Sequence, residues 1–174
     1  TANLLDEGAG TRNALEVSDA LRLLATDYGA GVYQDFVTLS MDLLGENLSA
    51  SLDLYADFLL RPRFEEADFK RVKKQRIASA IANRANPKGI RNLVMMRTLF
   101  NDGYAGLPSN GLPKTLANIS LPEVKAAFER LVKPQGATLI VVGHVSMAQL
   151  KTELNRVFSN WKGVPNSQSR ALSQ

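Results

Sequence analysis

The segment FVTLSMDL, from Phe36 to Leu43, decides the fold class. Its apolar and polar residues largely alternate, which is the two-residue period of a β-strand with two unlike faces. One face carries Val37, Leu39, Met41 and Leu43, and the other carries Phe36, Thr38, Ser40 and Asp42. We therefore predict a strand whose apolar face is covered by helices, paired with a short strand across Gly31 to Gln34.

Helical patterns lie on both sides of this strand. Asn13 is a good N-cap, and Glu16 stands where a capping box needs it, so an amphipathic helix is predicted to begin there. Gly29 is its predicted stop. Further helices are predicted from Leu48 to the break at Pro62, from about Glu65 to Arg84, through Ile90 to Leu99, and after the N-caps Ser120 and Ser146.

The run from Ala137 to Val142 completes the predicted sheet. It is short, β-branched and apolar and ends at Gly143, which predicts a strand buried on both faces. The fold class is therefore α+β, with a small, mainly antiparallel or mixed sheet covered by helices on one face. Because three strands make a thin sheet, we expect further strands from a segment before Thr1 or from a partner. Residues 1–163 are predicted to form the domain, and residues 164–174 a linker or tail.

Composition excludes several classes of protein. The 174 residues fit one domain, and 45% hydrophobic with 22% charged residues is typical of a globular fold. The absence of cysteine removes disulfides and thiolate metal sites. We find no transmembrane run and no secretory signal pattern. The basic residues between Lys70 and Arg76 spread around a helix without aromatic neighbours, so we expect no nucleic-acid binding.

Four stretches, in order along the chain, carry a family likeness: LLDEGAGTR from Leu4, LLRPRFEEADFKRVKKQ from Leu59, LANISLPEVKAAFERLVKP from Leu116 and ATLIVVGHV from Ala137. Together they resemble the pitrilysin/insulinase family of zinc peptidases. The resemblance implies a metallopeptidase-like domain whose first strands lie before this chain begins. It also implies that paired domains enclose a substrate chamber.

The zinc site of the family is missing from this sequence. Active members carry H-x-x-E-H shortly before the Gly-Thr that matches Gly10-Thr11, and a further glutamate on the later long helix. The resemblance places these motif positions at or next to Thr1, Leu4 and Leu5, none of which ligates zinc or accepts a proton well. No acid stands between Asp68 and Asp102, where the third ligand is expected. We therefore expect no metal, no cofactor and no catalytic residue.

Two other candidates have simpler interpretations. The adjacent acids Asp6 and Glu7 could act as an acid–base pair, but neighbouring residues point in different directions, so a solvated segment is favoured. His144 is the single histidine. Without a second ligand nearby, it is interpreted as a surface residue at a strand end.

The resemblance favours a non-catalytic domain that pairs with a zinc-bearing domain or subunit around a peptide. Phe36, Thr38, Ser40 and Asp42 would then line the chamber, and the incomplete sheet edge is expected to promote self-association. The family also favours a periplasmic or otherwise exported location. The alternatives are a scaffold protein of the same fold with no role in proteolysis, and an enzyme of unrelated chemistry whose site the sequence does not show.

Overall fold

The computed structural model describes residues 2–33, 35–101 and 103–163. The strands are β1 (Gly8–Ala9), β2 (Arg12–Asn13), β3 (Asp27–Val32) and β4 (Val37–Asp42). The helices are α1 (Ala14–Leu23), α2 (Leu48–Leu60), α3 (Glu66–Ala85), α4 (Pro87–Phe100), α5 (Pro113–Asn118), α6 (Leu121–Leu131) and α7 (Met147–Phe158), and single 3₁₀ turns occupy Ala2–Leu4, Gly45–Asn47 and Tyr104–Gly106. The predicted tail, residues 164–174, lies outside the described residues.

The strands form two separate antiparallel pairs. β1 pairs with β2, and β3 pairs with β4 in a hairpin whose register runs from Asp27 opposite Asp42 to Val32 opposite Val37. The second strand of the hairpin matches the prediction, whereas its partner begins earlier than predicted, at Asp27. Within the described ranges no other strand pairs with either outer edge of the hairpin. The predicted α+β class is confirmed, with antiparallel pairing throughout the described part of the chain.

A single apolar cluster joins the hairpin to the helices. Its buried members are Leu4, Leu5, Ala9, Val17, Leu54, Phe58, Phe64, Phe69, Val72, Leu121 and Val124. Tyr28, Leu39 and Met41 pack against this cluster from one face of the hairpin. The Tyr28 ring contacts the Phe58 ring at a centroid distance of 4.6 Å. The hairpin is therefore covered by helices on one face, as its alternating pattern predicts.

Hydrogen bonds between side chains and backbone fix helix α2 beneath the hairpin. The Tyr55 hydroxyl donates to the Leu39 carbonyl at 3.0 Å, and the buried hydroxyls of Thr26 and Ser51 lie 2.9 Å apart. Asn47 donates to the Leu24 carbonyl at 2.9 Å, just before α2 begins. These bonds join the end of α1, the hairpin and α2.

The segment from Ala137 to Val142 corrects the sequence prediction. It forms no strand, and Leu139, Ile140, Val141 and Val142 are 51%, 80%, 43% and 93% exposed. The predicted strand buried on both faces is therefore wrong for this chain. A β-branched run becomes a buried strand only where neighbouring strands satisfy its backbone and helices cover it, and the described residues supply neither.

Two of the predicted N-caps, Asn13 and Ser146, accept hydrogen bonds from the first turns of their helices. Asn13 Oδ1 accepts from the Leu15 and Glu16 amides at 3.0 Å, and the Glu16 carboxylate accepts from the Asn13 amide at 2.7 Å. Ser146 accepts from the Gln149 amide at 3.2 Å at the start of α7. Helix α1, however, ends at Leu23 rather than Gly29, because the chain turns there to enter β3.

Helix α7 lies against α2. The Arg156 guanidinium contacts the Asp53 carboxylate and donates to the Ser49 carbonyl at 3.1 Å. Leu154 and Phe158 are half-buried on this side, and no residue of α7 is fully buried. Among the described residues, none of the helices is both long enough and apolar enough to span a bilayer.

Candidate functional site

Two of the three positions that the resemblance matches to the zinc motif lie in the core. Leu4 and Leu5 are 4% and 2% exposed and belong to the buried apolar cluster. Thr1 lies outside the described residues. The Leu4 and Leu5 side chains therefore contribute to the packing of the core.

The acids Asp6 and Glu7 are not a freely solvated segment. Glu7 makes an ion pair with Arg71 on α3, and Arg71 also bonds to Asp68 at 3.0 Å. Asp6 is half-buried, and burial raises the pKa of its carboxyl group, with a smaller contribution from Glu7. The two acids therefore differ: Glu7 anchors the chain start to α3, and Asp6 is held in a poorly hydrated position.

A half-buried tyrosine, Tyr28, lies near Asp6, and its hydroxyl oxygen is buried. The Tyr28 hydroxyl has no hydrogen-bond partner among the described residues, and burial raises its pKa, with the Asp6 charge adding to the effect. Burial also raises the pKa of Tyr55. Phenols shifted in this direction stay protonated at neutral pH, so neither tyrosine is a candidate base.

The matched Gly10-Thr11 pair has a structural role. Gly10 has φ of +59°, and a Cβ atom there would lie 2.5 Å from the Asp57 Oδ2 atom. Asp57 is 4% exposed and accepts from Arg12 at 3.3 Å and from Arg61 Nε at 2.9 Å. The turn between β1 and β2 is therefore closed over a buried, ion-paired carboxylate.

The hairpin face that points away from the helices carries the four predicted chamber-lining residues. Thr38, Ser40 and Asp42 are exposed, and Phe36 just before the strand is 58% exposed. Opposite Thr38 and Ser40 stand Gly31 and Gly29, where a Cβ would lie 2.6 Å from Thr38 Oγ1 and 2.8 Å from Ser40 Oγ. Because both positions are glycine, β3 presents backbone without side chains on this face. We call this face of the hairpin the open face; its residues are Gly29, Gly31, Phe36, Thr38, Ser40 and Asp42.

One residue of the predicted covered face departs from the pattern. Val37 is 52% exposed, and its partner Val32 is 42% exposed. This pair stands at the end of the hairpin, outside the set of residues that pack on the core. The covered face is thus Tyr28, Ala30, Leu39 and Met41 rather than the whole alternating set.

A groove of about 1060 Å³ begins at this end of the hairpin. Its walls are the Tyr33 and Phe36 rings, the C-terminal half of α3, the first turns of α4 and the segment 106–113. The Tyr33 and Phe36 rings stack at a centroid distance of 4.6 Å. Phe36 belongs both to this groove and to the predicted chamber-lining set, whereas Thr38, Ser40 and Asp42 do not line the groove. Sequence patterns gave no signal for the groove, since its walls are distant in the chain.

Metal-binding groups are sparse. No cluster of three or more His, Cys, Asp or Glu side chains that could hold a metal occurs in the described ranges. His144 is exposed in the loop before α7 and does not follow a strand, because the predicted strand is absent. Helix α3 carries acids only in its first turn, at Glu66 and Asp68.

Comparisons with known proteins identify the fold. No family model and no curated protein matches the sequence. Solved structures that share the fold include an inactive domain of a peptidase M16 protein from Pseudomonas fluorescens, with 24% identity and a TM-score of 0.84 over 94% of this chain. A protease from Helicobacter pylori gives 16% identity and a TM-score of 0.87 over 96% of this chain. The periplasmic protease PqqL from Escherichia coli gives 15% identity and a TM-score of 0.83 over 98%.

These likenesses extend over most of this chain but over a minor part of each neighbour. The chain spans 40%, 41% and 20% of the three solved chains. The chain therefore has the fold of a pitrilysin-type, M16 peptidase domain, and the resemblance stated from the sequence is confirmed at the level of the fold.

Proposed function

We propose that this chain is a non-catalytic peptidase-homologue domain that pairs with a zinc-bearing domain or subunit and forms one wall of a peptide-binding chamber. One observation carries the proposal: Leu4 and Leu5, which the resemblance matches to zinc-motif positions, are core residues, while the open face of the hairpin is lined, apart from Phe36, by small and polar residues. A domain built this way offers a surface for binding and no group for hydrolysis.

The neighbours support this proposal through their own descriptions. One is an inactive domain, and all three solved chains are more than twice as long as the part that this chain matches. A domain that fills less than half of a protease is suited to work beside another. One neighbour is periplasmic, which supports an exported location for this chain as part of the proposal.

Zinc content tests the non-catalytic part. We expect less than about a tenth of an equivalent of zinc per chain after dialysis, because the matched positions offer no imidazole or carboxylate. Elemental analysis of the purified chain measures this directly. About one tightly held zinc per chain would refute the proposal, whereas metal removed by a weak chelator would mark an adventitious contact at His144.

Peptide binding tests the chamber wall. A neutral, fluorescently labelled peptide of about ten residues serves as the probe, with fluorescence anisotropy as the readout. Thr38→Lys together with Ser40→Lys should weaken binding severalfold, because long side chains would fill the bare face beside Gly29 and Gly31. The matched control, Ser18→Lys together with Thr152→Lys, changes an exposed serine and an exposed threonine on helices. Equal loss in both variants would contradict the assignment of the open face.

Partner pairing distinguishes a chamber wall from a scaffold. A zinc-bearing chain encoded beside this one, assayed with and without the domain, should gain peptidase activity when the domain is present. Full activity of that chain alone would favour the scaffold alternative.

Self-association through the unpaired hairpin edges is part of the same proposal, and light scattering across a concentration series measures it.

A further inference from the structure

The groove at the end of the hairpin carries a charge imbalance. Its charged side chains are Arg76, Arg84, Lys88 and Asp35, so positive charge exceeds negative charge by two. Arg76 is fixed there, since its Nη2 donates to Asn110 Oδ1 at 2.8 Å. Arg84 and Lys88 are exposed and have no ion-pair partner in the described part of the chain. Two cations thus remain available to a ligand.

The geometry of the α3–α4 corner holds these cations at one place. Asn86 caps α4 by accepting from the Lys88 amide at 3.0 Å, with Pro87 at the first helical position. Gly89 allows close packing, because a Cβ there would lie 2.1 Å from the Asn83 carbonyl oxygen. Arg84 and Lys88 therefore stand on either side of a tight corner, and both line the groove.

The size and polarity of the groove suit a peptide. The volume of about 1060 Å³ lies at the upper end of the range of roughly 300–1,000 Å³ that is common for ligand pockets, which gives room for a short peptide segment. The lining combines the apolar side chains of Leu93, Met96 and Leu107 with the side-chain amides of Asn83 and Asn92, which can donate to and accept from peptide groups. Nucleic acid is less suited, since the two available cations would neutralise only two of the phosphates that a strand carries at every nucleotide.

We propose that this groove binds peptide segments that carry acidic side chains, with Arg84 and Lys88 as the residues that select them. The inference rests on the proposed function in taking a peptide as the ligand, and it adds a charge preference and a location. Exposed cations such as these act mainly on the rate of association and on the choice between ligands. Because salt screens exposed charges, the preference for acidic peptides should weaken as salt is added.

Four probes test the inference against the full chain. Three are peptides of about ten residues with an uncharged fluorophore, identical except for several positions occupied by Glu, Gln or Lys. The fourth is an oligodeoxythymidine of similar length. At low ionic strength the Glu peptide should bind about tenfold more tightly than the Gln peptide, because about two exposed charge contacts are gained. The Lys peptide should bind most weakly.

A charge reversal sharpens the test. Arg84→Glu with Lys88→Glu changes the excess of two positive charges to an excess of two negative charges, so the variant should prefer the Lys peptide. The matched control is Lys125→Glu with Lys151→Glu, which makes the same total change at exposed positions on α6 and α7 outside the groove. If circular dichroism shows that the reversed variant is unfolded, Arg84→Gln with Lys88→Gln replaces it and should abolish the preference.

The outcomes separate the inference from the function on which it rests. Equal binding of the three peptides, or loss of preference in the control as well, would overturn the charge selection and leave a peptide-binding wall intact. Binding of no peptide at all would overturn both. Tighter binding of the oligonucleotide than of the Glu peptide would assign the groove to nucleic acid and overturn the inference.

Discussion

Two apolar runs of this chain differ in how far their side chains are buried. Leu4 and Leu5, near the start, are almost completely buried, whereas the residues from Leu139 to Val142 are 43–93% exposed. Both runs are hydrophobic, so composition does not explain the difference. The first run has α2, α3, α6 and the hairpin around it, and the second has no strand beside it in the described residues. Burial therefore depends on the partners that the chain supplies rather than on hydrophobicity alone.

The sharpest test of this comparison is truncation in each run. Leu5→Ala should destabilise the fold by about 2–5 kcal/mol, because it removes buried methyl groups and leaves a cavity. Ile140→Ala, at a side chain that is 80% exposed, should change stability by less than about 0.5 kcal/mol. Urea denaturation measures both. A comparable loss in the two variants would show that the second run is buried in solution.

A second test compares glycines with positive φ in the same two regions. Gly10→Ala should cost about 2 kcal/mol or more, because a Cβ meets the Asp57 carboxylate as well as requiring a left-handed backbone. Gly136 has φ of +82° with nothing within 4 Å of its Cβ position, so Gly136→Ala should show only the backbone strain of about 1–2 kcal/mol. The difference between the two melting temperatures measures the contribution of the contact with Asp57. Equal shifts in melting temperature would show that this contact contributes little.

A third test contrasts the two faces of the hairpin. Leu39→Lys should destabilise by about 1.5–3 kcal/mol, because the Leu39 side chain packs on the core. Thr38→Lys, on the open face, should leave the melting temperature nearly unchanged. If the two substitutions destabilised the fold equally, both faces would be covered in solution, and the assignment of an open face would be wrong.

The smallest expected effects come from the helix caps. Asn13→Ala should cost about 1 kcal/mol, since its side chain accepts from two amides of α1. Ser120→Ala should cost less, because the Ser120 hydroxyl donates to the Glu123 carboxylate and the bond from the Ser120 amide to Glu123 remains. Guanidinium denaturation should resolve this order. A larger loss at Ser120 would contradict it.

Much of the fold was predictable, because its signals are local. The strand at 37–42, the caps at Asn13 and Ser146 and the long helix ending near Asn86 depend on residues close in sequence. The error at Ala137–Val142 arose because a buried strand requires partners, which a local pattern does not reveal. The groove was missed for the same reason: only the tertiary fold brings Asp35 to the same groove as Arg84 and Lys88.

The way in which α7 is attached to α2 predicts which part of the molecule unfolds locally first. Helix α7 buries no residue completely and is joined to α2 largely through half-buried side chains and the contacts of Arg156. Segments held this way open at lower free energy than the core, as separate cooperative units. The amides of α7 should therefore exchange with deuterated solvent well before those of α2. Partial opening of the C-terminal helix would expose the outer surface of α2 while the hairpin and its open face stay folded.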